Sequence, residues 1–213
     1  MYLPSSFQVT DAQSVAAFLR EHPFATLISS TPDGPFASHL PLEFSNEEGE
    51  HAGKGVLLGH VARANAHWRH FDGSAPSLAI FHGPHAYISP AWYESDSLPP
   101  TWNYAVVHAY GHPKVLEDPV RAREVLDVLV ERFESERSER WLNTLDPEFI
   151  DKLQAGIVAF EFPIDEIEAK FKLGQNRSPA DQAASLEGLA SESGSGPGSL
   201  ASFWREVLET QKQ

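Results

Sequence analysis

Short apolar and alternating segments, separated by turn residues, fill most of the chain before residue 120 and limit the folds that it can adopt. Residues 25–30 are apolar, residues 31–34 form a Thr-Pro-Asp-Gly turn, and residues 36–44 alternate, which predicts a hairpin. Further strand patterns occupy residues 55–60, 77–83, 86–89, 102–110, 113–117 and 156–162. Many short strands at near-regular spacing with few helices predict a mainly β (α+β) protein built on a small antiparallel barrel.

Helix-start signals recur along the chain. Thr10 and Gln13 form a capping box, and residues 118–119, 146–147 and 178–179 each pair an N-cap residue with a following proline. Residues 191–199 have the composition of a flexible Gly/Ser linker. The last helix has an apolar stripe that we expect to pack on a partner chain or on the barrel itself. We predict a barrel domain over residues 1–177 and a C-terminal helical tail over residues 178–213, with the linker at 191–199.

Composition excludes several kinds of chemistry. The chain has no cysteine, which removes disulfides, thiolate nucleophiles and iron–sulfur clusters and suits a reducing compartment. No stretch approaches the roughly 18 apolar residues of a membrane span, so we expect a cytoplasmic protein. Its formal net charge of −14 disfavours direct contact with nucleic acid.

The segment from Gly59 to Asn65 places a histidine, an arginine and an asparagine cap where a strand is expected to turn into a helix. Free backbone N–H groups at a helix start favour an anion, and Arg63 could add a bidentate contact to a phosphate. The alternative is a surface turn in which Arg63 pairs with a carboxylate and Asn65 only caps the helix. Spacing alone does not separate these two readings.

Aromatic and basic residues crowd into three later segments. Residues 81–93 combine a Gly-Pro-His corner with aromatic side chains, which suits either a wall for a planar ligand or ordinary core and interface packing. Alternation over residues 101–108 puts Trp102 and Asn103 on opposite faces, and Asn103 could either contact a ring edge or satisfy the backbone. Residues 170–177 are basic in an acidic chain, which indicates anion recognition or solvated charge. Nearby histidine pairs lack a completing carboxylate, so we expect no metal site.

Long strings in these segments resemble the PaiB-type family, FMN-binding proteins often described as negative transcriptional regulators. The strings are GHVARAN, GPHAYISP, PTWNYAVVHAYG, the Lys-Leu-x-Gln-Asn-Arg run and Ser-His-Leu-Pro at 38–41, and the resemblance covers roughly residues 1–185. It implies a split β-barrel like that of pyridoxamine-phosphate oxidases and small flavin reductases, which are homodimers with FMN between the subunits. The chain departs from that pattern where Ser-His-Leu-Pro replaces the barrel's usual Arg-rich phosphate strand, and in the linker and final helix.

The resemblance also implies which residues contact the cofactor. His60, Arg63 and Asn65 would lie where such barrels receive the phosphate and ribityl chain, with Arg63 and the helix start at Asn65 at the phosphate. His39, on the neighbouring strand, and His60 would be on the ring side, and Val61 of the same string is a further cofactor-binding residue. A second group would close the pocket or act from the partner subunit's side. That group consists of Thr101, Trp102, Asn103, Gln175 and Arg177.

Three functions remain open at this point. The first is an FMN-dependent redox or ligand-sensing regulatory protein, with a reduced nicotinamide as the hydride source if it is an enzyme. The second is a negative transcriptional regulator that acts through DNA or through a partner protein; the charge and the lack of a recognition-helix motif favour the partner. The third is a haem-binding split barrel with His60, His82 or His108 as axial ligands.

Overall fold

The structure is a computed structural model, and it describes residues 1–46, 54–96, 98–134 and 146–210. The predicted polar loop after residue 46 therefore lies outside the described residues. Within them, the strands are β1 (Gln8–Val9), β2 (Phe24–Thr31), β3 (Gly34–Pro41), β4 (Glu43–Ser45), β5 (Val56–Ala62), β6 (Ser77–Ile88), β7 (Thr101–Gly111), β8 (Lys114–Val115) and β9 (Ile157–Lys172). The α-helices are α1 (Ala12–Glu21), α2 (Pro119–Glu134), α3 (Pro147–Ala155), α4 (Pro179–Ser191) and α5 (Ser195–Thr210).

The strands form one antiparallel sheet, in which the described residues contribute nine strands. The order along the sheet is β3-β2-β6-β7-β9-β5-β4, and β1 and β8 also pair with β9. This sheet with flanking helices confirms the mainly β, α+β class. No helix among the described residues is long and apolar enough to cross a membrane.

Contacts divide the chain into two compact units, which we describe one at a time. The first unit comprises residues 1–15, 82–107 and 168–213, and the second comprises residues 16–81 and 108–167. The predicted domain boundary after residue 177 does not coincide with a border of these units. Helices α4 and α5 belong to the first unit together with the end of β9.

The first hairpin of the second unit follows the alternation of its sequence. Strands β2 and β3 pair antiparallel from Phe24 opposite Pro41 to Thr31 opposite Gly34, whose φ of 110° is the kind of turn conformation that glycine tolerates. On β3, Ser38 and Leu40 are buried, whereas His39 is exposed on the other face. Both the hairpin and the outward direction of His39 are confirmed.

A buried imidazole connects this hairpin to the turn that follows β5. His67, in a 3₁₀ helix over Ala66–His70, is fully buried, and its Nδ1 lies 2.9 Å from Ser38 Oγ while its Nε2 lies 2.9 Å from Ser29 Oγ. Ser29 Oγ in turn lies 2.6 Å from Ser77 Oγ on β6. Burial and, secondarily, the nearby His70 lower the pKa of His67 from 6.5 to about 4. The ring is therefore neutral near pH 7 and bridges strands by hydrogen bonds.

The C-terminal tail packs on other parts of the first unit of its own chain. On α5, the Phe203 ring lies 5.1 Å from that of Phe171, and Trp204 is almost fully buried beside Gly174. The predicted linker over 191–199 was too long, because α5 begins at Ser195. Pro197 does not prevent this, since the first residues of a helix need no backbone N–H donor.

Two strand boundaries and one helix cap differ from the sequence prediction. Strand β6 runs without a break through the Gly-Pro-His corner where two strands were expected, and β9 continues ten residues beyond the predicted end at 162, to Lys172. Asp11, rather than Thr10, caps α1 by accepting a 2.7 Å hydrogen bond from the Ser14 N–H. The other predicted starts are confirmed, because the N-cap side chains at 118, 146 and 178 each accept a backbone N–H bond from the first turn.

Replacement of Gly174 tests how the tail is seated. Gly174 has a φ of +77°, and an added Cβ would lie 3.2 Å from the Trp204 ring, so we expect Gly174→Ala to lower the free energy of unfolding by about 1 to 3 kcal/mol. Gly198→Ala is the matched control, because Gly198 is helical and has open space around it; that variant should gain up to about 1 kcal/mol. Urea unfolding measures both, and equal effects would contradict this packing.

Acid sensitivity tests the His67 network. The pKa of His67 is lowered on folding, so below its ordinary value of 6.5 the unfolded chain binds the extra proton and stability falls as the pH falls towards 4. Between about pH 7.5 and about pH 5.5 we expect this histidine to cost about 1 kcal/mol of unfolding free energy. The His67→Gln variant should lose that pH dependence, whereas His39→Gln, on the exposed face, should keep it. An identical pH dependence in wild type and His67→Gln would refute the assignment.

Candidate functional site

The Gly59–Asn65 segment forms the strand-to-helix turn that its sequence predicts, although the helix is short. Strand β5 ends at Ala62, and the five-residue 3₁₀ helix Ala66–His70 follows. The Asn65 Oδ1 accepts a 3.0 Å bond from the His67 N–H, and its Nδ2 donates to Ser38 Oγ at 2.9 Å. Asn65 therefore acts as a cap and is also fixed to β3 by its side chain.

Arg63 is held by backbone carbonyls. Its Nε donates to Ala155 O and its Nη2 to Ile157 O, each at 2.7 Å, and its backbone N–H donates to Gly156 O at 2.9 Å. These bonds join the turn to the start of β9. The sequence suggested either a phosphate contact or an ion pair with a carboxylate for Arg63. In the structure, two of its guanidinium nitrogens donate to backbone carbonyls.

His60 and Val61 lie on opposite faces of β5. Val61 is buried in the core, whereas His60 is partly buried and its Nδ1 is shielded from solvent with no hydrogen-bond partner among the described residues. Burial lowers the pKa of His60, so the ring is neutral near pH 7. A shielded nitrogen without a partner is destabilising until some other group bonds to it.

His39 is separated from this group by the pleat of β3. Its Nδ1 lies 3.0 Å from Thr26 Oγ1 across the hairpin, on the face opposite Ser38 and the His67 network. The structure thus brings Asn65 together with Ser38 rather than with His39. Sequence reasoning missed His67 as the centre of the network; serines on the buried faces of β2 and β3 were the available signal.

A cavity of about 400 Å³ lies in the second unit beside Arg63. Its lining is mainly apolar, with Leu116, Ala122 and Ala159 among the contributing residues and Trp68 on one side. The indole N–H of Trp68 donates to Arg63 O at 3.0 Å, which fixes that wall. The volume lies in the range of small-molecule sites.

In the first unit, the structure gathers part of the second predicted group around a lysine that the sequence did not single out. Lys172 Nζ donates to Thr101 Oγ1 and to the carbonyl of Trp102. Trp102 is 55% exposed, and its ring lies 6.1 Å from that of Tyr87 and 6.3 Å from that of His85. The only sequence signal for Lys172 was its place in the basic run over 170–177.

Asn103, Gln175 and Arg177, the other three residues predicted to close the pocket, have different surroundings. Asn103 is buried, on the opposite face of β7 from Trp102, with its Nδ2 facing Gly174. Gln175 uses its amide locally, accepting from the Leu173 N–H and donating to Phe171 O, so it stabilises the turn. Arg177 lies over the Tyr93 ring, 5.3 Å from its centroid. No three potential metal-ligating side chains gather among the described residues.

Comparison with protein families gives a match over most of the chain. Residues 1–166 match the family model FMN_bind_2, described as "Putative FMN-binding domain". A relative from Bacillus subtilis, "Protease synthase and sporulation protein PAI 2", is 35% identical over 212 residues, which cover 99% of this chain and all of that protein.

Solved structures share the fold at low sequence identity. The FAD and heme binding protein from Mycobacterium smegmatis has a TM-score of 0.58 and 19% identity, covering 89% of this chain and 82% of that chain. The flavocytochrome Anf3 from Azotobacter vinelandii has a TM-score of 0.59 and 16% identity, covering 89% and 78% respectively. The predicted split-barrel class is thereby confirmed. Together, the match over residues 1–166 and the identity to PAI 2 show that this chain belongs to the PaiB-type family of FMN-binding proteins.

Proposed function

We propose that this protein binds FMN, as a cytoplasmic homodimer, and acts as a flavin-dependent redox or ligand-sensing regulatory protein. Membership of an FMN-binding family supports the cofactor. The name of its relative PAI 2, which refers to protease synthesis and sporulation, supports a regulatory role. The dimer is proposed on the resemblance to split-barrel flavoproteins described above.

The observation that carries the cofactor assignment is the unbonded nitrogen of His60. This Nδ1 is shielded and lacks a partner among the described residues, on the strand that leads into the Gly59–Asn65 turn. A neutral imidazole is suited to a hydrogen bond with an uncharged polar atom, such as a ribityl hydroxyl or a polar atom of the flavin ring. The unbonded nitrogen therefore fits a polar atom of a flavin, and it fits a carboxylate less well because the ring is neutral.

The neighbouring side chains have defined parts in this proposal. Arg63, fixed through Nε and Nη2, would offer Nη1 to the anionic end of the cofactor. Asn65, anchored to Ser38, would keep the turn in place. His39, exposed on β3, is proposed to contact the ring side. When bound, the flavin would supply hydride and electron transfer, which these side chains do not provide themselves.

The regulatory role is proposed to run through a protein partner rather than through DNA. A formal net charge of −14 repels a phosphate backbone unless cations are concentrated on one surface large enough to follow the duplex. The cations of residues 170–177 cover one short segment at the end of β9.

The His60→Phe variant tests the FMN site. Phenylalanine keeps a ring in place but removes both nitrogens, so we expect FMN to bind about tenfold more weakly, the equivalent of one hydrogen bond of about 1.4 kcal/mol. The unfolding midpoint without FMN should not fall, because the substitution removes an unpaired polar atom from a shielded position. Quenching of flavin fluorescence measures the affinity.

His112→Phe is the matched control, because His112 is exposed and pairs with Asp165 at 2.8 Å. Its FMN affinity should equal that of the wild type. Equal affinities for wild type and His60→Phe would contradict the assignment of His60, and a wild-type protein that shows no flavin spectrum after reconstitution would contradict FMN binding altogether. A haem spectrum in the purified protein would favour the third function instead.

Reaction with a reduced nicotinamide tests the redox role. We expect NADH or NADPH to reduce the FMN-loaded protein faster than it reduces the same concentration of free FMN, because a protein site orients the two rings for hydride transfer. Anaerobic loss of the oxidised-flavin absorbance measures the rate. Equal rates with bound and free FMN would exclude the redox role and leave ligand sensing as the function.

A further inference from the structure

A buried carboxylate in the tail has no part in the proposed cofactor contacts. Asp181, in the first turn of α4, is 2% exposed. Its Oδ1 accepts from the backbone N–H groups of Glu94 and Ser95, each at 3.0 Å, and its Oδ2 accepts from the hydroxyls of Ser95 and Ser178, each at 2.8 Å. These hydrogen bonds hold the pKa of Asp181 below its ordinary value, with the Ser95 N–H as the largest cause. The buried group is therefore charged near pH 7.

These bonds attach a segment that is distant in sequence to α4. Both backbone donors follow a 3₁₀ turn over Pro90–Trp92. That turn also contacts α4, because a Cβ added to Gly188 would lie only 2.3 Å from the Trp92 ring. Asp181 and Gly188 are seven residues apart and therefore lie on one face of the helix. Residues 90–95, which we call the strap, are thus attached to α4 at two points.

The strap buries little apolar surface of its own. No residue of the 3₁₀ turn is buried, and Glu94 and Ser95 are exposed. The Tyr93 ring adds a contact with the Arg177 guanidinium, but both side chains are partly exposed. Segments with few buried apolar contacts open locally at a low free energy. The two attachments to α4 therefore set how often the strap opens.

The strap lies next to residues that the family resemblance assigns to closure of the cofactor pocket. Arg177 belongs to that group and contacts Tyr93 of the strap. Thr101 and Trp102, two further members, begin β7, the strand that follows the strap in sequence. An open strap would remove Tyr93 from Arg177 and leave this side of the group exposed to solvent.

We propose that residues 90–95 form a movable strap that gates the pocket, and that Asp181 is the positioning residue that latches the strap to α4. Gly188 is the second part of the latch, because its lack of a side chain seats the Trp92 ring on the helix. Release of the Asp181 bonds lets the strap move away from α4. The gating of cofactor exchange rests on the proposed FMN function, whereas the latch does not.

Helix capping alone does not account for the burial of Asp181. Ser178 caps α4 by accepting from the Asp181 N–H at 3.1 Å, and α3 begins with an exposed cap, Asp146, that holds no distant segment by a recorded bond. Burial of a carboxylate is unfavourable unless donors surround it. Three of the four donors to Asp181 come from the strap, so the burial depends on the strap being closed.

Amide hydrogen exchange of the full-length protein without cofactor, followed by NMR, tests the latch. Asp181→Asn keeps the shape of the side chain but removes its charge and one acceptor oxygen. We expect the amides of Glu94 and Ser95 to exchange at least about tenfold faster, the equivalent of one charge-assisted bond, while amides in the middle of α4 keep their wild-type rates. Asp146→Asn is the matched control, because it makes the same change at the exposed cap of α3, and it should leave both amides unchanged.

Gly188→Ala tests the latch at its second point. Alanine favours a helix more than glycine does, so α4 should stay folded, but the added methyl group would displace the Trp92 ring. We expect the amides of Glu94 and Ser95 to exchange faster in this variant as well. Wild-type exchange rates at these two amides in both variants, or an equal loss of protection along the whole of α4, would overturn the proposal.

The kinetics of FMN binding test the gating. A strap that gates exchange limits entry and exit alike, so Asp181→Asn should raise the association and dissociation rate constants each by about tenfold and leave Kd within about threefold. A loss of stabilising contacts alone would raise only the dissociation rate constant, and that result would refute the gating. A protein that binds no FMN would contradict the proposed function and not the latch, which amide exchange decides separately.

Discussion

The buried ring of His67 is the interaction on which the organisation of the second unit depends. One neutral imidazole bonds through Nδ1 to Ser38 and through Nε2 to Ser29, and Ser29 continues to Ser77, so three strands and the 3₁₀ turn share one polar chain. Polar groups buried in this way are stabilising only while every member has its partner. The turn after β5 is therefore tied to the neighbouring strands, and this bonding helps to place the residues around the turn.

This network also constrains the turn formed by the Gly59–Asn65 segment. Asn65 donates to Ser38, a member of the same network, and this bond connects the turn to β3. Arg63 is fixed independently by the carbonyls of Ala155 and Ile157. On the strand that leads into this turn, His60 has a shielded nitrogen that the described residues do not satisfy. A site prepared in this way favours a ligand that supplies the missing bond, which is the basis for proposing FMN there.

In the first unit, apolar packing rather than a buried polar network joins the C-terminal helix to the sheet. Gly174 lacks a side chain where the Trp204 ring approaches, and Phe203 of the same helix packs against Phe171, so α5 is seated on the end of β9. The turn that follows carries Gln175, whose amide bonds to its own backbone, and Arg177. The packing of the tail therefore adjoins the turn that carries Gln175 and Arg177.

The sequence by itself determined the strand-rich class, the β2–β3 hairpin with His39 facing outwards, the helix starts capped at 118, 146 and 178, and the family. These features depend on neighbours along the chain: alternation, turn residues, capping side chains and contiguous strings. Tertiary structure alone decided where α5 begins, because burial of Trp204 outweighs the flexibility that a Gly/Ser composition predicts. It also decided which polar side chains already have hydrogen-bond partners. Arg63 and Lys172 bond to residues far away in sequence, and Gln175 bonds to backbone groups of its own turn. Periodicity shows which face a side chain points to, but only the packed chain shows what lies opposite it.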